Sequence, residues 1–243
     1  MTTTADTSTQ LNDISIIIPA REGSSRIQRK VHLPFTDELS LLEWKIDQLK
    51  KIHPGSKIIV SSNSANIKNI AANAGVNYHE RSDYLSVGHQ ASFSEVITGI
   101  VKDIETAHFA WITVVVPLMS PEEVLNGFKA YIDKVIINQT NDSLVAVNLL
   151  KEYLWDEYKP INYEANRNHT ISQNLPNIYK VTNGLYMSPK EQALRLGYFL
   201  GSNPYKFVVS KLAGIDIDEW EDYEFARSLV GYYNQTADLP KKA

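Results

Sequence analysis

Residues Ile14, Ile16, Ile17 and Ile18 form a short, mostly β-branched run, and the chain passes from them through Pro19 into a turn carrying glycine, serine and four cations. A continuous apolar run of that length suits a strand covered on both faces, as in a parallel sheet. Pro19 stops the ladder. Gly23 can take positive φ or let its backbone approach a ligand closely, leaving N–H groups free to point at an anion. Arg21, Arg26, Arg29 and Lys30 would surround that anion. Ligands of open α/β sheets bind outside the carboxyl ends of the strands, so position and composition together suit a nucleotide. The cations taken alone suit a solvated surface turn equally well. Neither GxxxxGK[ST] nor GxGxxG is present, which argues against a kinase or a dinucleotide-dependent dehydrogenase.

Downstream, strand-like runs alternate with helical periods, the pattern of an α/β fold whose mainly parallel sheet carries helices on both faces. Strands are expected at Ile14–Ile18, Lys57–Ser61, Val76–His79, His108–Val116 and Ser143–Asn148, with a return to the sheet at Phe207–Val209. The clearest helix runs from Pro121 to Val135. Ser120 can cap it, Pro121 occupies the first turn, and Glu122 and Glu123 complement the dipole. Val124, Leu125, Phe128, Tyr131, Ile132 and Val135 give it a core-facing stripe. A last helix is expected from about Glu219 to Tyr232.

From Asn148 to Tyr179 the texture changes to aromatic, amide and proline residues without a clear period, with short strands expected around Pro160 and Tyr179. This reads as an excursion from the main sheet, an insert at about 149–180 within one domain spanning 13–235. Residues 1–12 are expected to be a disordered tail, and residues 236–243 a second tail.

Composition sets the partner class. A chain of 243 residues with 43% hydrophobic content can build one sizeable α/β core. Its net charge of −4 argues against general nucleic-acid binding, so the basic loop is a local feature suited to a small anion. There is no cysteine, hence no disulfide framework or thiolate metal site. The polar start from Met1 to Asn12 does not resemble a signal peptide, and no apolar run approaches a membrane span; a cytoplasmic location is expected. The histidines form no HxxxH or HxH pair.

Near the C-terminus, Asp216 and Asp218 stand one residue apart, so on extended backbone their carboxylates point to nearly one side, an arrangement able to hold Mg²⁺. The same acids suit a charged turn before a helix, with Asp218 or Glu219 as N-cap and Glu221 and Asp222 in the first turn. Both arrangements can hold together, with Asp222 serving the helix.

The run Ile18-Pro-Ala-Arg-Glu-Gly-Ser-Ser-Arg-Ile27 with Lys30 resembles the opening motif of the cytidylyltransferases that make CMP-activated sugar acids, the acylneuraminate (CMP-sialic acid) and CMP-Kdo synthetases. Further pieces follow in the family's order: Ile59-Val-Ser-Ser-Asn63, Glu80-Arg-Ser-Asp-Tyr-Leu85, Pro117-Leu-Met-Ser-Pro-Glu122, Leu154-Trp-Asp156, Pro160-Ile-Asn-Tyr163, Gln173 to Tyr179, Asn183-Gly184, and Asp216-Ile-Asp218 with Asp222. The resemblance implies a nucleotide-diphospho-sugar transferase type of Rossmann-like sheet. It also implies attack by the anomeric hydroxyl of a 2-keto-3-deoxy sugar acid on the α-phosphorus of CTP, giving a CMP-sugar and pyrophosphate for surface glycans such as lipopolysaccharide or capsule. Arg21 and Lys30 would hold the triphosphate with Arg26 as a further contact, and the backbone around Gly23 and Ser24 would cradle it. Ala20, Arg81 and Ser82 would flank cytosine and ribose. Gln173 and Asn183 would bind the acceptor, with Tyr179 on its ring, and Asp216 and Asp218 would hold Mg²⁺. The insert would reach across to a second subunit of a homodimer and help close its active site.

The chain departs from the family pattern at Glu22, which replaces a glycine, at Val31, at Val115 and Val116, and at Gly88 with His89. The added charge beside the phosphate loop at Glu22 and the loss of polar groups elsewhere fit a divergent acceptor, a shifted base contact, reduced activity or a non-catalytic homologue. A nucleotide-sugar glycosyltransferase is a further alternative, although its D-x-D usually lies mid-chain.

Overall fold

In the computed structural model, which describes residues 11–24, 26–87 and 90–237, the isoleucine run is β1, Ile14–Pro19. Ile14, Ile16 and Ile18 enter one buried cluster and Ile17 the other, so the strand is covered on both faces, as its continuous apolar sequence requires. The other strands are β2 (Ile58–Ser62), β3 (Asn77–Glu80), β4 (His108–Trp111), β5 (Ser143–Leu150), β6 (Ile178–Pro189) and β7 (Pro204–Val208). They form one seven-stranded sheet in the order β3-β2-β1-β4-β6-β5-β7. β6 runs antiparallel to both of its neighbours, and the remaining pairs are parallel.

Two strands differ from their expected extents. β4 stops at Trp111, well short of Val116. Beyond it Ile112 N–H still donates to Ile17 O at 2.9 Å, but Val115 O then accepts from Ile217 N–H at 2.8 Å, so the chain becomes a shelf served by other segments. β6 is far longer than the short strand expected at Tyr179, and it lies in the middle of the sheet. It pairs with β5 as far out as Leu150↔Ile178, which narrows the excursion to residues 151–177. In that arm Trp155 and Pro160 form an isolated bridge, and the rings of Tyr153, Tyr163 and His169 pack together. Trp155, Ile161 and Tyr158 are exposed, Tyr158 to 82%.

The helices are α1 (Leu41–Lys50), α2 (Ala65–Ala74), α3 (Asp83–Ser86), α4 (Phe93–Val101), α5 (Pro121–Tyr131), α6 (Lys190–Leu196), α7 (Trp220–Ser228) and α8 (Val230–Ala237). Ser40 with Glu43, Ser92 with Glu95 and Ser120 with Glu123 close capping boxes on α1, α4 and α5, each satisfying two orphan N–H groups. α5 gives way after Tyr131 to a π-helical stretch, Ile132–Ile137, and of its predicted stripe all but Leu125 is buried. The predicted final helix is two, interrupted at Leu229, and Tyr233 on the second turns inward to pack on Trp44 and accept a hydrogen bond from Gln48 Nε2 at 2.7 Å. Among the described residues no helix is long and apolar enough to cross a membrane. The departure at Gly88 and His89, and the expected tails apart from residues 11, 12, 236 and 237, lie outside the described residues.

Candidate active site

A cleft of about 700 Å³ opens at the carboxyl ends of β1 and β4. The chain leaves β1 towards β2 on one side while β4 lies on the other, making this the switch point of the sheet, where open α/β sheets bind ligands. Arg21, Arg26, Arg81, Asn183, Asp216 and Asp218 all line it, although they are scattered over nearly the whole chain.

The basic loop is positioned from behind by Arg81. This buried side chain follows β3, donates from Nη2 to Ala20 O at 2.8 Å and from Nε to Ser86 Oγ at 3.0 Å, and thereby clips the end of β1 to α3. Burial, aided by the neighbouring Arg21 charge, pulls the Arg81 guanidinium down to about 10. A cation held under those conditions is stabilised by an incoming anion. Ser82 accepts from Leu85 N–H as the N-cap of α3 and does not line the cleft. Gly23 does not use positive φ; in this loop Arg29 does, at 52°. A Cβ at Gly23 would meet nothing within 4 Å, so the backbone there faces open space. Ser24 is half-buried beside it.

Glu22 does not place its charge in the cleft. Its carboxylate accepts from Ser64 Oγ and lies 2.9 Å from His32 Nε2 and 3.9 Å from Arg29 Nε. Burial pushes its pKa up, but the hydrogen bonds from Ser64 and His32 outweigh that and hold it below the usual carboxylate value. The departures at Val31 and Val116 are buried core positions, whereas Val115 lines the cleft.

Lys30 is buried, with its ammonium donating to Ile217 O. Burial lowers its pKa, and the nearby Asp218 opposes that shift. The expected phosphate ligand therefore serves the acidic segment directly. Ile217 is held at both ends, its N–H by Val115 O and its carbonyl by Lys30, and this presents Asp216 and Asp218 on its two flanks. Asp218 is paired with Arg26 Nη2, which also lies 3.7 Å from Glu219 through Nη1. Asp222 accepts from the N–H groups of Asp218 and Glu219 at 2.9 and 2.8 Å, so it serves the helix, with Glu219 as N-cap.

Asp216 is less well provided for. Its Oδ2 accepts from Asn183 Nδ2 at 2.8 Å, but Oδ1 is buried with no hydrogen-bond partner. Burial raises its pKa, Asn183 opposes the rise, and the adjacent Asp218 charge adds to it. A buried carboxylate oxygen left without a donor is a ready ligand for a hard cation, so the donor set fits Mg²⁺. Asn183 adopts φ 59° within a bulged part of β6, accepts from Tyr186 Oη at 2.6 Å and receives Thr113 Oγ1 on its carbonyl at 2.7 Å.

Gln173 and Tyr179 are not brought to this cleft; both are exposed on the arm and its base. An aromatic group absent from the predicted set does line the cleft. Tyr186, Tyr198, Trp111 and Phe93 gather around Phe199 with centroid separations of 4.0 to 5.9 Å. Their sequence positions share no period or motif, so only the folded topology reveals them.

The sequence pattern of the family described as "Cytidylyltransferase" matches residues 15–194. The chain is 23% identical over 233 residues to the N-acylneuraminate cytidylyltransferase of Escherichia coli O18:K1:H7, covering 93% of this chain and 54% of that one. It thus spans about half the length of this curated relative. It is 22% identical to the pseudaminic acid cytidylyltransferase of Campylobacter jejuni subsp. jejuni serotype O:2, covering 91% of this chain and 97% of the relative. In fold it is similar to the structure of a CMP:2-keto-3-deoxy-manno-octonic acid synthetase complexed with CTP, with TM-score 0.63 and 11% identity over 90% of this chain and 98% of the other.

Proposed function

Because the chain belongs to the cytidylyltransferase family, we propose that it transfers the cytidylyl group of CTP to the anomeric hydroxyl of a 2-keto-3-deoxy sugar acid, of the sialic, pseudaminic or Kdo type, releasing pyrophosphate. The observation that carries this reading is one cleft holding Arg21, Arg26 and Arg81 together with Asp216, whose Oδ1 has no donor. The names of the two curated relatives support the acceptor class.

In this reaction negative charge shifts onto the oxygens of the α-phosphate and the departing pyrophosphate, so preorganised cations and orientation supply most of the acceleration. Arg21 and Arg26 take the triphosphate, with the open backbone at Gly23 and Ser24 beside it, while Ala20 and Arg81 border the nucleoside. Lys30 sets the acidic segment. Asp216 and Asp218 would hold Mg²⁺, which when bound would neutralise triphosphate charge. Asn183, fixed by Tyr186 and Thr113, orients Asp216 and faces the acceptor. Gln173 stands on the exposed arm and Tyr179 at its base, both away from their own cleft, which supports a homodimer in which the arm completes the partner's site. The protein acts in the cytoplasm on soluble substrates for surface glycans.

The test is divalent-dependent pyrophosphate release from each of the four nucleoside triphosphates against a panel of 3-deoxy-2-ulosonic acids. Release with CTP and one acid is expected. Release of a nucleoside diphosphate, or no CTP binding, would overturn the reading. Arg26→Ala is expected to raise KM for CTP about tenfold, the loss of one charge-assisted contact, and to lower the salt dependence of CTP binding, measured by initial rates across ionic strength.

A further inference from the structure

α1 carries a cluster of buried donors that the reaction scheme leaves unused. Lys45 is only 1% exposed, and its ammonium donates to Val116 O at 2.9 Å. Trp44 Nε1 and Gln48 Nε2, also buried, both donate to Pro117 O, at 2.9 and 3.0 Å. These carbonyls need such partners because β4 has ended at Trp111, so no ladder remains to serve Val116 and Pro117. A buried lysine facing a carbonyl instead of a carboxylate is an expensive choice. Burial pulls the Lys45 ammonium down to about 7, with the Glu123 charge opposing. An apolar side chain at this position would avoid that cost but would leave Val116 O without a donor.

The geometry gives the cost a purpose. Val115, one residue before the carbonyl that Lys45 holds, accepts the N–H of Ile217, and Ile217 stands between Asp216 and Asp218. The shelf at 115–117 is thus gripped from one side by α1 and carries the acidic segment on the other. We propose that Lys45 is a positioning residue of the cleft: by fixing the Val116 carbonyl it sets the placement of Ile217, and through it the spacing and orientation of the Asp216 and Asp218 carboxylates toward a divalent cation. This rests on the reading of those two carboxylates as the metal-holding pair.

The experiment uses Mn²⁺ as the probe with the full chain in the absence of acceptor, its binding followed by the loss of the free-ion electron paramagnetic resonance signal. Lys45→Met is expected to weaken Mn²⁺ binding about tenfold or more, the usual size of an effect transmitted through a ligand's supporting contacts. CTP affinity without metal should stay within about twofold of the wild type. Ile67→Ala, in the buried core of α2, serves as a control that lowers thermal stability without shifting Mn²⁺ affinity. Should Lys45→Met not fold, Trp44→Phe, which removes a donor from the neighbouring carbonyl, is expected to weaken Mn²⁺ binding about threefold and decides the question in its place. Equal Mn²⁺ affinity in wild type and the folded variant overturns the positioning role and leaves the metal reading intact. No Mn²⁺ binding by the wild type overturns both.

Discussion

Asp216→Asn is expected to reduce turnover by about 10²–10³-fold, the scale seen when one preorganised electrostatic group is removed, and at the same time to make the folded protein more stable at neutral pH. Both effects come from the same atom. Asp216 Oδ1 is buried without a donor, so the carboxylate is destabilised by its surroundings, and burial raises its pKa. A carboxyl that holds its proton more tightly when folded than when unfolded makes stability fall as pH rises through the interval between the two pKa values. Asparagine removes that penalty, and its side-chain oxygen can still accept from Asn183 Nδ2. Thermal unfolding across pH should show the variant ahead of the wild type near neutrality, the gap closing in acid as wild-type Asp216 becomes protonated and neutral. A variant that is inactive and less stable at every pH would mean that Asp216 is a structural anchor and not a strained ligand.

Gly214→Ala is expected to cost about 2–5 kcal/mol, combining overpacking with the loss of buried hydrogen bonds. A Cβ at Gly214 would come within 1.6 Å of Asn148 Oδ1 and 2.6 Å of its Cγ, a contact no small shift relieves. Asn148 on β5 would have to leave, and its Nδ2 now donates to Val209 O at 3.1 Å and Ser210 O at 2.8 Å. Those bonds fix the descent from β7 into the segment that carries Asp216. Urea unfolding should show a lower midpoint at unchanged slope, and activity should fall further than stability alone explains. An alanine variant with wild-type midpoint would show that the close approach is not a constraint.

Much of this cleft was legible in the sequence, and the exceptions have physical causes. The isoleucine run, the proline stop and the basic turn all fall where local chemistry places them, and Glu219 caps its helix with Asp222 in the first turn, as the acidic sequence there suggests. β6 was hidden because Asn183-Gly184 reads as turn chemistry. The fold spends that chemistry inside a strand, letting Asn183 take positive φ and aim at Asp216 while Gly184 passes 3.2 Å from Met119 Sδ and Val116 Cγ1, measured from where a Cβ would stand. Glu22 is drawn aside by Ser64, 42 positions along the chain, together with His32 and Arg29 of its own loop, a grouping that only the folded loop brings about one carboxylate. The bond from Lys30 to Ile217 was hidden in the same way, its partner lying 187 positions along the chain. The aromatic cluster around Phe199 and the donors of α1 left no pattern at all, being assembled from separate elements.

Contacts between early and late parts of the chain hold the fold together: Arg26 to Asp218, in the cleft, across 192 positions, and outside it Tyr223 to Pro34 across 189 and Gln48 to Tyr233 across 185. Closing so long a loop costs only about 0.6 kcal/mol more than closing one half its length, so the burden lies in time and not in energy. During synthesis the basic loop and α1 emerge early and must wait for nearly the whole sheet before their partners exist. The acidic segment and the loop it pairs with therefore meet only after all seven strands of the sheet, the last of which ends at Val208, have been made.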